Sequence, residues 1–260
     1  MLQTRVWTAL VALPVVLVTV LLAPAPVFSG FIAVLTAWGL YEVGAMNATS
    51  AAETLILALA GGVPALALLE GAPAPWLAPA LVIAAMIVLV ARVARQGGAS
   101  VQRGWTLTLL GALWVGVLFP YFALLRNHAG GIPIIVFVLL LVIASDSGAY
   151  FAGHWRGRVK LLPRVSPAKT VEGAIGGLAA CVAAGLILQG PLALRWTTGS
   201  TVTLSAAIGV LAQLGDLAGS AFKRVAGVKD SGWIFPGHGG LLDRTCSLVF
   251  PAAFTYYYIL

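Results

Sequence analysis

The chain has 260 residues, of which 60% are hydrophobic and 9% are charged. Soluble globular domains contain roughly 45–50% apolar and about 25% charged residues, so this composition excludes an ordinary soluble domain. The 15 Lys and Arg residues outnumber the 8 Asp and Glu residues and give a formal charge of +7. In a membrane protein such an excess is typical of cytoplasmic loops, so we expect no nucleic-acid partner.

Apolar runs broken by Gly, Pro or charge predict nine membrane helices, each about 20 residues long. The predicted segments are 6–23, 27–46, 54–70, 76–94, 105–125, 132–152, 171–190, 202–222 and 241–260. We therefore expect an all-α, polytopic integral membrane protein that forms a single membrane domain. Residues 1–130 would be a scaffold that could carry dimer contacts, and residues 131–260 would carry the chemistry.

The positive charges favour one orientation of these helices. A cytoplasmic N-terminus places thirteen of the fifteen Lys and Arg residues inside and only Arg126 and Arg195 outside. The first segment has a second interpretation, because Arg5, an apolar run and Ala23-Pro24-Ala25 resemble a signal peptide. The run is long for a signal peptide, which favours a retained span.

All four aspartates lie after residue 145, and Asp146 and Asp216 lie well inside predicted spans. An ionisable residue in a span costs about 2.5–3.5 kcal/mol on insertion scales, so Asp146 and Asp216 indicate a functional site. On the eighth segment Gln213, Asp216, Ser220 and Lys223 lie 3, 4 and 3 residues apart, which places them on one helix face. That face must contact protein or water.

Two polar clusters follow these spans. In the first, Ser166-Pro167 reads as a helix N-cap, with Lys169 and Thr170 on the opening turn where they can reach phosphate. In the second, glycines around His238 could expose backbone N–H groups as an anion nest before the last helix. Asp243 in the first turn of that helix would repel phosphate unless a divalent cation lies between them.

Cysteines and small residues have a structural interpretation. Two cysteines are too few for a disulfide framework, and we expect Cys181 in mid-helix and Cys246 near a helix start. Gly173, Gly177, Cys181 and Gly185 recur every four residues and predict tight helix packing.

The segment Ser220 to Arg244 closely resembles the signature of phosphatidate cytidylyltransferases, and Asp146 to Tyr150 and Ser166 to Gly173 resemble two further family motifs. The resemblance implies an enzyme of the bacterial inner membrane that joins CTP to phosphatidate, giving CDP-diacylglycerol and pyrophosphate at a cytoplasm-facing site. It also implies Mg²⁺, a second cation such as K⁺, contact with bilayer lipid and a homodimer.

The resemblance assigns roles to individual residues. Asp216 and Asp243 resemble metal-binding acids, and the expected catalytic set is Asp216, Asp243, Lys223, Lys229 and Asp230. The expected substrate-binding set is Asp146, Ser166, Lys169, Thr170, Glu172, Ser220, Arg224, His238, Gly239, Gly240 and Arg244.

The chain departs from the family at position 246, where a second metal-binding aspartate is replaced by Cys246. Cysteine is a soft ligand that suits Mg²⁺ poorly. Either the chain is an engineered or inactive variant, or Asp216, Asp243 and substrate phosphates suffice for weaker binding. Two rival functions stay open: a CTP-dependent lipid kinase, and a non-enzyme, either a transporter or a catalytically silent homologue.

Overall fold

The computed structural model describes residues 14–47, 50–66, 83–90, 98–235, 237 and 239–260. Helical residues occur within each of the nine predicted segments. The helices are α1 (14–22), α2 (Ala25–Met46), α3 (Ala51–Leu66), α4 (83–90), α5 (Gly98–Leu118), α6 (Tyr121–Asn127), α7 (Gly131–Arg156), α8 (Val171–Gln189), α9 (Thr198–Ala226) and α10 (Leu242–Ile259).

The described residues are almost entirely helical, as predicted, apart from one short hairpin. Two short antiparallel strands, β1 (Lys160–Leu162) and β2 (Ser166–Thr170), form a hairpin between α7 and α8. Of the described helical segments, five are long and apolar enough to cross a membrane: Ala25–Met46, Thr106–Asn127, Gly131–Arg156, Val171–Gln189 and Thr198–Ala226.

The chain divides into two compact units. Unit 1 contains the described residues up to Asn127 together with Val225–Arg244. Its helix α2 packs against α3, α5 and α6, and the Arg126 guanidinium donates to the Ala23 carbonyl at 2.9 Å.

Unit 2 comprises His128–Arg224 and Thr245–Leu260. Its core contains Phe137 and Leu141 of α7, Cys181 of α8, and Leu204 and Ile208 of α9. The predicted glycine ladder is confirmed as packing, because Gly173, Gly177, Cys181 and Gly185 are the buried residues of α8. A β-carbon at Gly177 would lie 2.7 Å from the Ser145 carbonyl oxygen, so α7 and α8 approach closely only because that residue is glycine.

Candidate active site

The first acidic cluster lies in unit 2 and centres on Asp216 of α9. Asp216 Oδ2 forms an ion pair with the Lys169 ammonium. The two side chains are 41% and 26% exposed, so both are accessible to solvent. On the same face of α9, Gln213 Nε2 donates to the Ala174 carbonyl oxygen at 3.0 Å. This face therefore meets the start of α8, which β2 and Lys169 directly precede.

Asp146 of α7 belongs to the same cluster. Asp146 lies close enough to Asp216 and Lys169 for electrostatic interaction with both. Lys169 thus lies near two acidic side chains, and the trio carries a net negative charge when both acids are ionised. An accessible group of this kind attracts a further cation.

Cys246 of α10 borders Asp216. Its buried Sγ lies 3.8 Å from Asp216 Oδ1. A β-carbon at Gly215 would overlap the Cys246 carbonyl oxygen, so the glycine permits the close approach of α9 and α10 at this point. An aspartate at position 246 would therefore bring a second carboxylate next to Asp216.

The helix start predicted at Ser166 is wrong. Ser166 and Pro167 lie in β2, where Ser166 pairs with Leu162, and α8 begins at Val171. Thr170 is the actual N-cap, and its Oγ1 accepts a hydrogen bond from the Gly173 N–H at 3.1 Å. Because pairing with β1 keeps residues 166–170 extended, Ser166 cannot cap the helix, and the Thr170 hydroxyl does so instead.

Other residues predicted to bind substrate hold this hairpin in place. The Glu172 carboxylate accepts hydrogen bonds from the backbone N–H groups of Arg158 and Val159, at 3.1 Å and 3.2 Å. Arg224 Nε donates to the Val165 carbonyl oxygen at 3.5 Å. These contacts fix the segment that carries Lys169, and substrate binding by Glu172 and Arg224 stays a prediction.

The second acidic cluster lies in unit 1 and centres on Asp243 in the first turn of α10. Asp243 Oδ2 accepts hydrogen bonds from the Ser231 N–H at 2.8 Å and the Gly240 N–H at 2.9 Å, and it lies 3.0 Å from the Ser231 hydroxyl. Gly239 has φ +82°, and a β-carbon there would overlap this carboxylate. The glycine run therefore wraps around Asp243.

Glu42 of α2 completes this cluster, and the sequence reasoning missed it. Its carboxylate accepts hydrogen bonds from the N–H groups of Leu241 and Leu242, at 2.7 Å and 3.0 Å. Of the glycines predicted to form a phosphate nest, Gly240 already donates its N–H to a carboxylate of the protein, that of Asp243. A signal was present, since Glu42 is an acid within a predicted span, the criterion that singled out Asp146 and Asp216.

The remaining predicted residues lie on the polar stripe of α9 or in unit 1. Ser220 and Lys223 are half-buried on α9, in the predicted polar stripe with Asp216. Lys229, Asp230 and Arg244 are exposed residues of unit 1. His238 lies outside the described residues. Within the described part of the chain, no three His, Cys, Asp or Glu side chains converge into a metal-binding group.

Comparison with known proteins gives the family context. Residues 3–260 match the cytidylyltransferase family. Phosphatidate cytidylyltransferase of Staphylococcus epidermidis is 41% identical over 142 residues, covering 55% of this chain and 54% of the relative. The enzyme of that name from Bacillus subtilis is 41% identical over 149 residues, covering 57% and 55%.

A third relative, phosphatidate cytidylyltransferase of Brucella suis, is 44% identical over 155 residues, covering 59% of this chain and 56% of the relative. The chain therefore spans about half the length of the curated relatives it matches. The family match, by contrast, extends over nearly the whole chain, and the protein belongs to the cytidylyltransferase family.

Proposed function

We propose that the protein is a phosphatidate cytidylyltransferase, an enzyme that converts CTP and phosphatidate to CDP-diacylglycerol and pyrophosphate. Family membership and the names of three relatives support this reaction. The observation that carries the proposal is the accessible ion pair between Lys169 of β2 and Asp216 of α9, with Asp146 of α7 close to both. Acids and a cation in this setting suit charged substrates, one of which is a lipid.

We propose that the chain crosses the bacterial inner membrane about nine times, with its N-terminus and active site on the cytoplasmic side. Five helices of suitable length and composition support a multi-pass protein. The clustering of positive charge supports the orientation. The family resemblance supports a homodimer.

The proposed chemistry is an in-line displacement at phosphorus. An anionic phosphate oxygen of phosphatidate forms a bond to the α-phosphorus of CTP, and the bond from that phosphorus to the oxygen bridging to the β-phosphate breaks. Pyrophosphate leaves with the bonding electrons. Since the attacking oxygen is already ionised, the protein mainly has to place two polyanions together and neutralise them.

Lysines of unit 2 would supply this neutralisation. Lys169 is held by Asp216 in an accessible ion pair, so it can exchange that carboxylate for a phosphate oxygen. Lys223 lies two turns along α9 from Asp216, on the same polar stripe. The resemblance adds Arg224, Lys229 and His238 around the nucleotide phosphates.

The carboxylates fit Mg²⁺. This ion usually binds one or two carboxylates together with substrate phosphates, and Asp216 with Asp146 offers hard oxygen ligands and net negative charge. The resemblance adds Asp243 as a ligand and K⁺ as a second ion. Bound Mg²⁺ would neutralise charge developing on the departing pyrophosphate.

The experiment is a turnover assay of purified protein in detergent with phosphatidate, Mg²⁺ and CTP labelled at the α-phosphate. Label should pass to the lipid. A parallel assay with γ-labelled CTP distinguishes the kinase alternative, which would transfer only that label. Protein that is folded but labels lipid from neither substrate would contradict the proposed function.

A further inference from the structure

We propose that Glu42 is a positioning residue that fixes Asp243 and the start of α10 through Ser231. The inference rests on the proposed function, because it concerns the support of a proposed metal-binding aspartate. It starts from an unusual feature of unit 1: the acidic side chain of Glu42 is 2% exposed, and it accepts hydrogen bonds from neutral donors.

Four donors satisfy the Glu42 carboxylate. Oε1 accepts hydrogen bonds from the Trp38 indole N–H at 3.1 Å and the Leu241 N–H at 2.7 Å. Oε2 accepts from the Leu242 N–H at 3.0 Å and lies 2.9 Å from the Ser231 hydroxyl. An ionised carboxylate has about four acceptor positions, so this buried acid has its full complement of donors when the Ser231 hydroxyl points towards it, and it keeps three N–H donors otherwise.

The position of these donors explains why an acid is suitable here. Leu241 and Leu242 lie at the start of α10, where backbone N–H groups have no partner within the helix and the helix dipole favours negative charge. Glu42 therefore caps α10 from another helix, almost 200 residues away in sequence.

Two glycines make room for this contact. A β-carbon at Gly232 would lie 2.7 Å from Glu42 Oε1, and one at Gly240 would lie 2.6 Å from the same oxygen. The glycine run that the sequence suggested for phosphate is thus shaped around a carboxylate of the protein.

Ser231 connects Glu42 to Asp243. Its hydroxyl oxygen lies 2.9 Å from Glu42 Oε2 and 3.0 Å from Asp243 Oδ2, while its N–H donates to Asp243. The hydroxyl has one hydrogen, so it serves one carboxylate at a time. Both carboxylates also accept backbone N–H groups next to each other, at Gly240 and Leu241. Displacing Glu42 should therefore displace Asp243.

The principal test is Glu42→Gln. The amide replaces one oxygen by an NH₂ group, which confronts the Trp38 and Leu241 N–H donors if Oε1 is replaced and the Leu242 N–H donor if Oε2 is replaced. We expect the Mg²⁺ concentration for half-maximal turnover to rise about 10–100-fold, the usual effect of losing support around a metal ligand. We also expect faster hydrogen–deuterium exchange in the peptide containing Leu241 and Leu242, without substrate or Mg²⁺.

Glu53→Gln is the matched control. Glu53 is also a buried acid of unit 1, at 4% exposure, and it accepts the Ser50 N–H at the start of α3. This variant should change thermal stability while the Mg²⁺ requirement and exchange at Leu241 and Leu242 stay as in the wild type. An equal rise in the Mg²⁺ requirement in both variants would overturn the proposal, because it would indicate general loosening.

Ser231→Ala keeps the assignment testable if Glu42→Gln fails to fold. It removes the shared hydroxyl and leaves the backbone donors to both acids. We expect the Mg²⁺ requirement to rise by a smaller factor, and to rise no further when Ser231→Ala is added to a folded Glu42→Gln protein. A wild-type Mg²⁺ requirement in either single variant would overturn the proposal.

These experiments distinguish failure of the positioning role of Glu42 from failure of the proposed function. If the wild type labels no lipid, the cytidylyltransferase assignment fails, but hydrogen exchange still reports whether Glu42 holds the start of α10. If the wild type is active and Glu42→Gln has the wild-type Mg²⁺ requirement, the positioning role alone is wrong.

Discussion

The two acidic clusters hold their aspartates in different ways. Asp243 in unit 1 accepts hydrogen bonds from the backbone N–H groups of Ser231 and Gly240. Glu42 supports it through the Ser231 hydroxyl, which lies within hydrogen-bond distance of both carboxylates. Asp216 in unit 2 is bound by the Lys169 ammonium and a weakly donating thiol, and 41% of its side chain is exposed.

The difference indicates two kinds of role. Neutral backbone donors fix a carboxylate in place, and removing it would leave buried polar groups unsatisfied. A cation on a flexible, accessible side chain can be exchanged for a ligand at little cost, since exposed ion pairs contribute only about 0.2–1 kcal/mol. We therefore expect changes at Asp216 to affect turnover more than stability, and changes at Asp243 to affect both.

Asp216→Asn should give the largest effect on turnover. The amide keeps the shape of the side chain but loses the charge that balances Lys169 and would hold Mg²⁺. We expect the rate to fall on the order of a hundredfold or more, the scale of losing a major electrostatic contact. The thermal midpoint in detergent should change little.

Gln213→Ala is the control on the same face of α9, because Gln213 donates to a backbone carbonyl of α8. In Gln213→Ala the thermal midpoint should fall, whereas the turnover rate per folded molecule should stay close to the wild-type value. If Asp216→Asn instead unfolds the protein while turnover per folded molecule is kept, Asp216 is structural and the distinction between the clusters is lost.

Asp243→Ala should give the largest loss of stability. It leaves the Ser231 and Gly240 N–H groups without this acceptor, at about 1–3 kcal/mol for each buried unsatisfied group. Asp243→Asn retains an acceptor oxygen and should be more stable than the alanine variant while still losing turnover. Thermal unfolding and the α-label assay measure the two effects separately. Normal turnover and Mg²⁺ dependence in Asp243→Asn would contradict a metal-binding role.

The sequence predicted the helices and part of the site for local reasons. Apolar runs determine where helices form, and the four-residue repeat from Gly173 to Gly185 predicts the packed face of α8 because helical geometry puts those residues together. The polar stripe of α9 follows from the same periodicity.

What could not be predicted depends on contacts between distant residues. Glu42 and Ser231 are 189 residues apart, and no local pattern indicates that they meet. The hairpin was missed because both Ser166 and Thr170 suit a helix N-cap, and only the pairing of β2 with β1 selects Thr170.

Cys246→Asp should strengthen metal binding by the cluster around Asp216 in unit 2. The new carboxylate would lie beside Asp216 and add a further hard ligand, so we expect the Mg²⁺ concentration for half-maximal turnover to fall about tenfold, with a higher maximal rate. Cys246→Ser, similar in size and uncharged, should leave both values near those of the wild type. Equal behaviour of the two variants would show that position 246 does not contribute to metal binding.

Thr170→Val should give the smallest effect, and it tests whether the hairpin positions Lys169. Valine keeps the shape of a side chain that packs among Gly153, Gly157 and Gly173, but it cannot accept the Gly173 N–H. Loss of an N-cap costs about 1 kcal/mol, or about 2–4 °C in thermal midpoint for a protein of this size. Thr170→Ser retains the hydroxyl and should stay closer to the wild-type midpoint.

Turnover of Thr170→Val should fall by a modest factor, through a higher KM for CTP, because Lys169 precedes the lost cap by one residue. If the midpoint falls as expected while the KM stays unchanged, the cap stabilises α8 without positioning Lys169. The accessible ion pair of Lys169 and Asp216 would then be positioned by α9 and Asp216, and not by the Thr170 cap.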